Sequence, residues 1–142
     1  MKRTPLKKKS KATPRKLQDK LWVVIKQIVL ELYGNDCYTC GAKNLQGASC
    51  QLGHMWAKAS LSAHLKYDTR VLRIQCFRCN IHLGGQGAVF YARMLKEIGQ
   101  KEMEKLEKEK QILVKADTIF WQNKLDEAVE RLKSVILQGK KG

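Results

Sequence analysis

Two Cys-x-x-Cys pairs constrain this chain more than any other feature of its sequence. Thirty-five residues separate the pairs, more than the roughly 15 to 20 residues of a simple zinc ribbon. In a cytosolic chain, paired cysteines are more often metal ligands than disulfides, and four thiolates suit one tetrahedral zinc ion. The sequence therefore predicts a structural Zn²⁺ site with the ligands Cys37, Cys40, Cys76 and Cys79.

The segment between the pairs has the pattern of a small sheet that leads into a helix. The alternating stretch from Ser49 to Met55 and the run Val71 to Ile74 both favour strands, and residues 80–83 favour the start of a helix. The expected fold class is α+β, with strand, strand and helix forming a zinc-stapled ββα-metal module between flanking α-helices.

Helix signals surround this module. Thr13 and Pro14 suit an N-cap and a first helical position, apolar residues recur at helical spacing from Leu17 to Leu32, and Gly34 is a plausible stop. Asp117 is the expected cap of a last helix. The predicted division is a disordered basic arm (1–13), an N-terminal helix (14–34), a zinc-stapled ββα-metal module (35–99) and a C-terminal helical extension (100–142).

The charge of the chain indicates its partner. The net charge is +15, and the first twenty residues hold nine Lys or Arg and one Asp. Such an excess favours nucleic acid, because phosphates neutralised by Lys and Arg release counterions. A membrane is the competing partner, but the apolar run Leu21 to Ile25 is only five residues long and cannot span a bilayer. No signal-peptide core follows the basic N-terminus, so we expect a cytoplasmic chain.

Three polar residues are candidates for phosphodiester hydrolysis, which requires a base and a positive charge at the phosphate. His54, at the end of the first strand, is the candidate general base. Asn80 offers an amide oxygen to Mg²⁺ or Mn²⁺. His82 is a candidate further ligand or phosphate contact, and a surface histidine is the alternative interpretation.

Five stretches together resemble one known family: Cys37 to Gly41, Gly53-His54, Tyr67 to Arg70, Gln75 to His82 and Ile98 to Gln100. The pattern is similar to the lambda NinG (Rap) recombination proteins, within the HNH (His-Me finger) nuclease group. The resemblance implies a phage-encoded protein that acts in the cytoplasm of the bacterial host cell. It also implies that this protein nicks Holliday junctions or D-loops with the help of a divalent metal. On the matching positions it makes His54 the base, Asn80 a ligand of the catalytic metal, and the four cysteines structural.

The chain departs from the HNH pattern at two positions. Gly53 stands where most HNH nucleases have an Asp or His metal ligand, and Val71 stands where an Asn usually orients the base. We therefore expect another group to orient His54, and either His82 or Asp68 to complete the metal site, although a turn is the favoured role of Asp68. Both departures favour the alternative function, a non-catalytic zinc protein that binds branched DNA as a recombination accessory.

Basic and aromatic residues around the predicted site suit DNA. Trp56, Phe77 and Tyr91 are candidates for stacking on exposed bases, with core positions favoured for Phe77 and Tyr91. An apolar stripe of Met103, Leu106 and Leu113 fits either a homodimer seam or packing within the chain, against the N-terminal helix. The predicted DNA contacts are Lys7, Lys8, Lys9, Lys58, Lys66, Arg70, Arg73, Arg78 and Arg93.

Overall fold

The computed structural model describes residues 12–139 and shows helices around a small two-stranded sheet. The basic arm with Lys7, Lys8 and Lys9 and the last three residues lie outside the described residues. Across the described residues, no helix has both the length and the hydrophobicity of a membrane span. The elements are α1 (Pro14–Tyr33), β1 (Gln51–His54), β2 (Leu72–Gln75), a short π-helical turn (Arg78–His82), α2 (Gly87–Ile98), α3 (Gln100–Glu109) and α4 (Thr118–Gly139).

Helix α1 begins and ends at the residues that its sequence signals predict. Thr13 Oγ1 accepts a hydrogen bond from the Lys16 amide at 3.2 Å, and Pro14 is the first helical residue. The helix ends at Gly34, whose φ of +77° favours glycine. Thr13 is therefore the N-cap of α1, as predicted.

The long helices α1 and α4 pack against each other. Leu17, Leu21 and Ile25 form one buried face of α1, and α4 lies along this helix. The cap of α4 is the predicted one, since Asp117 Oδ1 accepts a hydrogen bond from the Phe120 amide at 2.9 Å. The C-terminal extension thus completes the same core as the N-terminal helix.

Helix α3 packs within the chain. Met103 and Leu106 are buried, and α3 packs against α2, whereas the predicted packing partner was α1. Because these two side chains are already covered, they do not offer an apolar seam to a second copy. A homodimer stays a prediction that would have to use other surfaces.

The sheet explains the glycine that precedes His54. In the antiparallel pair, Gly53 lies opposite Arg73 and His54 opposite Leu72. A Cβ atom on Gly53 would lie 1.8 Å from Oε1 of the buried Gln75 side chain. Gln75 occupies the space that a side chain at position 53 would need, so the missing acidic ligand has a steric cause.

Hydrogen bonds hold the Gln75 amide in this position. Its Nε2 donates to Thr39 Oγ1 at 3.0 Å and to the Gly85 carbonyl oxygen at 2.8 Å. Thr39 lies in the first cysteine pair and Gly85 lies between the π-helical turn and α2. Gln75 therefore joins the cysteine cluster, the sheet and the loop before α2.

Gly53→Ala is expected to lower the free energy of unfolding by about 1–3 kcal/mol, because the new methyl group must displace the Gln75 amide. Adding Gln75→Ala should cost less than the sum of the two single changes, since it removes the clashing atom. Gly139→Ala is the matched control, because its Cβ meets no atom within 4 Å. Urea unfolding is measured for these four variants and the wild-type protein, and a Gly53→Ala cost equal to that of the control would contradict the steric interpretation.

Candidate zinc site and carboxylate-free cleft

Four cysteines converge where the sequence predicts a zinc site. The Sγ atoms of Cys37, Cys40, Cys76 and Cys79 all lie within 4.8 Å of one another. The Cys40 and Cys76 sulfurs are 3.7 Å apart, close to the spacing of about 3.8 Å between two sulfurs that each lie about 2.3 Å from a tetrahedral zinc ion. A disulfide would bring them to about 2.05 Å. The fifth cysteine, Cys50, is buried outside this cluster.

The cluster fastens the first cysteine pair to the sheet. The Tyr38 amide donates to the Ile74 carbonyl oxygen at 2.8 Å, and the Cys79 amide donates to Cys76 Sγ at 3.4 Å. The four thiols thus fit a closed structural site for a zinc ion, with no position left for a substrate.

An open cleft of about 540 Å³ contains the predicted base and the predicted asparagine ligand. No carboxylate lines this cleft, whereas four other concavities in the described part of the chain each include at least one Asp or Glu. A cavity without negative charge suits an anionic ligand such as a phosphate. The lining residues are Trp22, Leu52, His54, Met55, Trp56, Ala57, Lys58, Asn80, Gly84, Gly85 and Gly87.

Backbone and aromatic contacts orient the His54 ring. His54 Nε2 lies 2.9 Å from the Lys66 carbonyl oxygen. Because a carbonyl can only accept, Nε2 carries the proton and Nδ1 keeps the lone pair. The Trp22 ring stacks on the imidazole, with the centroids 5.5 Å apart and an interplanar angle of 17°. These contacts orient the His54 ring, which Val71 cannot do in place of the usual Asn.

The surroundings of His54 favour its neutral form. Burial lowers the pKa of His54 below 6.5, and the positive charges of Lys58 and Lys66 lower it further, against an opposing contribution from the Lys66 carbonyl. At neutral pH the imidazole is therefore uncharged, with Nδ1 able to accept a proton.

Asn80 presents an amide oxygen at the same cleft. Its Nδ2 donates to Gln51 Oε1 at 2.8 Å, which leaves Oδ1 without a hydrogen bond among residues 12–139. A hard cation such as Mg²⁺ prefers oxygen and keeps several waters, so one amide oxygen together with substrate phosphate oxygens suits it. Asn80 is the only lining residue of this cleft with a side-chain oxygen, so the fit to a divalent ion is limited to this one side chain.

The match to the family model described as "Bacteriophage Lambda NinG protein" spans residues 1–134. The chain belongs to the NinG family, which is related to phage recombination. Comparisons with curated proteins and with solved structures give no match. The matched range includes the two cysteine pairs, His54 and Asn80.

His82 of this NinG family chain lies apart from the cleft. Its side chain is exposed, and its ring packs edge-on against Phe77 with the centroids 5.1 Å apart. It is not among the residues that line the cleft with Asn80. Asp68 caps the Thr69–Val71 turn by accepting from the Arg70 amide at 2.9 Å, which is the role favoured for it from the sequence.

The predicted basic rim is smaller than expected in this NinG family chain. Arg73 is buried, with its guanidinium 3.9 Å from the Tyr33 ring centroid and 3.1 Å from a Glu97 oxygen, so its predicted place on a phosphate-binding surface is wrong. Arg70 forms ion pairs of 2.7 Å with both Asp68 and Glu109, which neutralise it.

The remaining basic residues differ in their availability to DNA. Arg93 donates to the Tyr38 carbonyl oxygen and lies over the Tyr38 ring, whereas Arg78 is exposed on the π-helical turn. Lys58 lines the cleft, whereas the Lys66 ammonium donates to Gln18 Oε1 at 3.1 Å.

Several groups of the site carry no recognisable sequence signal. Trp22 and the Lys66 carbonyl reach His54 only through folding, because they belong to α1 and to a loop. A signal does exist in the charge pattern, since residues 37–96 contain eight Lys or Arg and one acid, Asp68. That imbalance alone indicates a face suited to phosphate.

Proposed function

We propose that this NinG family chain is an HNH-type endonuclease that hydrolyses phosphodiester bonds of branched DNA, such as Holliday junctions or D-loops, with the help of a divalent metal. The observation that carries the proposal is the placement of His54 and Asn80 in one cleft. The antiparallel β1–β2 pair followed by the Arg78–His82 turn supports the assignment to the HNH group.

In the proposed reaction, His54 Nδ1 accepts a proton from the attacking water. The Lys66 carbonyl and the Trp22 ring fix the direction of the lone pair, so that the ring needs no reorientation. Lys58 lies at the cleft and binds a phosphate oxygen of the DNA backbone. The low pKa keeps His54 ready as a base at neutral pH.

Asn80 would hold the catalytic Mg²⁺ or Mn²⁺ through Oδ1. When bound, the ion supplies positive charge for the scissile phosphate and its leaving oxygen. Gln51 Oε1 fixes the orientation of the Asn80 amide by accepting a hydrogen bond from Nδ2, and this leaves Oδ1 available for the ion. The four cysteines would hold a separate, structural zinc ion.

The alternative function is a non-catalytic protein that binds branched DNA as a recombination accessory. The absence of a carboxylate from the cleft favours it, since one amide oxygen is a weak protein contribution to a divalent site. Both functions require a basic surface and a zinc-stabilised fold.

Cleavage of a synthetic four-way junction distinguishes the two functions. The zinc-loaded protein is incubated with the junction and with a linear duplex of the same sequence, each with added Mg²⁺, with added Mn²⁺ and with no added divalent ion. We expect metal-dependent cuts in the junction and few in the duplex. Tight junction binding without cuts under any of these conditions would support the accessory function.

The pH dependence of cleavage should follow the environment of His54. Because a base must be unprotonated and the pKa of His54 is lowered from 6.5, the single-turnover rate should rise with pH to a plateau, with its midpoint below 6.5. Lys58→Gln removes a charge that lowers this pKa, so it should move the midpoint to higher pH. Lys43→Gln, which affects an exposed ion pair with Asp36, should leave the midpoint unchanged. Identical midpoints in all three proteins would contradict the assignment of this pKa to the base.

A further inference from the structure

One tryptophan of the cleft has no assigned task in the proposed reaction. Trp56 lines the cleft with His54 and Asn80 and is half-buried. Its neighbour Tyr91 is tilted by 48° with the ring centroids 6.5 Å apart, so no described aromatic ring stacks in parallel on the indole. Trp22 differs, because its ring is already stacked on His54.

One lysine ammonium lies over this indole, and a second lies over the other tryptophan of the cleft. Lys110 Nζ lies 4.5 Å from the Trp56 ring centroid, and Lys58 Nζ lies 5.3 Å from the Trp22 ring centroid on the same cleft. A ligand that matches this combination has a flat, apolar ring with negative charge beside it. A nucleotide has this chemistry, with its base for the indole and its phosphates for the two ammonium groups.

The base must be unpaired to reach the indole. In an intact duplex, each base face is covered by its stacked neighbours, and only the edges are open in the grooves. At a branch point or in a single strand, a base can leave the stack at a cost of a few kcal/mol. A side chain that stacks on nucleobases and lies beside His54 and Asn80 would therefore select nucleotides that are already out of the base stack.

We propose that Trp56 stacks on an unpaired base next to the scissile phosphate, so that the cleft recognises single-stranded nucleotides at a branch point. The inference rests on the proposed function for the position of the cut, but the stacking itself does not need cleavage. It assigns the preference for branched DNA to one side chain in the cleft and not only to the basic surface.

An affinity cycle without added divalent ions tests the stacking. The two probes are short labelled duplexes with one unpaired thymidine or with one abasic nucleotide at the same position, so that backbone and charge are equal. Wild-type protein is expected to bind the thymidine probe about tenfold more tightly, within the range of one base stacked on an aromatic ring. Trp56→Leu should abolish that difference, and Trp56→Phe should retain most of it.

Phe77→Leu is the matched control, because Phe77 is an aromatic residue 41% exposed outside the cleft. It should keep the full difference between the probes. The inference is overturned if wild-type protein binds both probes equally, if Trp56→Leu weakens both probes to the same extent, or if Phe77→Leu alone removes the difference. The experiment measures binding and not cleavage. If the protein does not cleave DNA, the proposed function is refuted, but the affinities still show whether Trp56 stacks on the unpaired base.

Discussion

His54→Ala is expected to reduce metal-dependent cleavage of a four-way junction by about 10²- to 10⁴-fold, the usual contribution of a positioned general base. The variant loses the only imidazole that lines the carboxylate-free cleft. Binding of the junction should change little, since the basic residues around the cleft remain. The measurement is the single-turnover rate, with thermal unfolding to show that the fold is retained.

His82→Ala is the matched control for this loss. The His82 side chain is exposed and lies outside the cleft, so its removal should leave the cleavage rate within about twofold of wild type, as expected for a surface change away from the site. If His82→Ala were as damaging as His54→Ala, the second histidine would belong to the site after all. If His54→Ala cut at the wild-type rate, His54 would not be the base.

Loss of zinc should have the largest effect on stability. Structural zinc in small domains supplies about 10–16 kcal/mol of apparent binding free energy, which is also folding free energy. Cys40 is the exposed ligand, so Cys40→Ser removes a sulfur without opening a cavity in the core. We expect this variant to bind zinc weakly and to unfold at a much lower urea concentration, because the first cysteine pair would lose its attachment to the sheet.

Cys50→Ala provides the comparison, since Cys50 is buried but does not belong to the cluster. It should keep one equivalent of zinc and lose only the packing of one small side chain. Metal content measured by atomic emission and urea unfolding together decide the outcome. A Cys40→Ser protein with full zinc content and wild-type stability would contradict the structural role of the ion.

The features that the sequence predicted well depend on local signals. The limits of α1 follow from Thr13, Pro14 and Gly34, and the cap of α4 follows from Asp117. The cysteine cluster was predictable because two Cys-x-x-Cys pairs have few uses in a chain of this kind.

The features that the sequence did not reveal depend on contacts between distant segments. The burial of Arg73 requires Glu97 on α2 and Tyr33 on α1, which no local pattern connects to it. The orientation of His54 depends on a backbone carbonyl, which any residue at position 66 would supply. A carbonyl contact leaves no trace in residue type, so pattern analysis could not find it.

Gln75 is an intermediate case. A glutamine at the end of a buried strand is an unusual choice, but only the structure shows that its amide fills the space beside Gly53. The departure from the HNH pattern at Gly53 is thus coupled to a residue on the neighbouring strand. The sequence shows that position 53 lacks a metal ligand, but it does not show that the Gln75 amide fills the space of the missing side chain.

Chemical rescue of His54→Gly by added imidazole tests the proposed catalytic role most directly. A small base that diffuses into the vacated space should restore metal-dependent cleavage of the junction, with a rate that rises with the concentration of unprotonated imidazole. The wild-type rate and the Asn80→Ala rate should not respond to imidazole. Cleavage by wild-type protein without any rescue of His54→Gly, or rescue of both variants alike, would contradict the role of His54 as the general base.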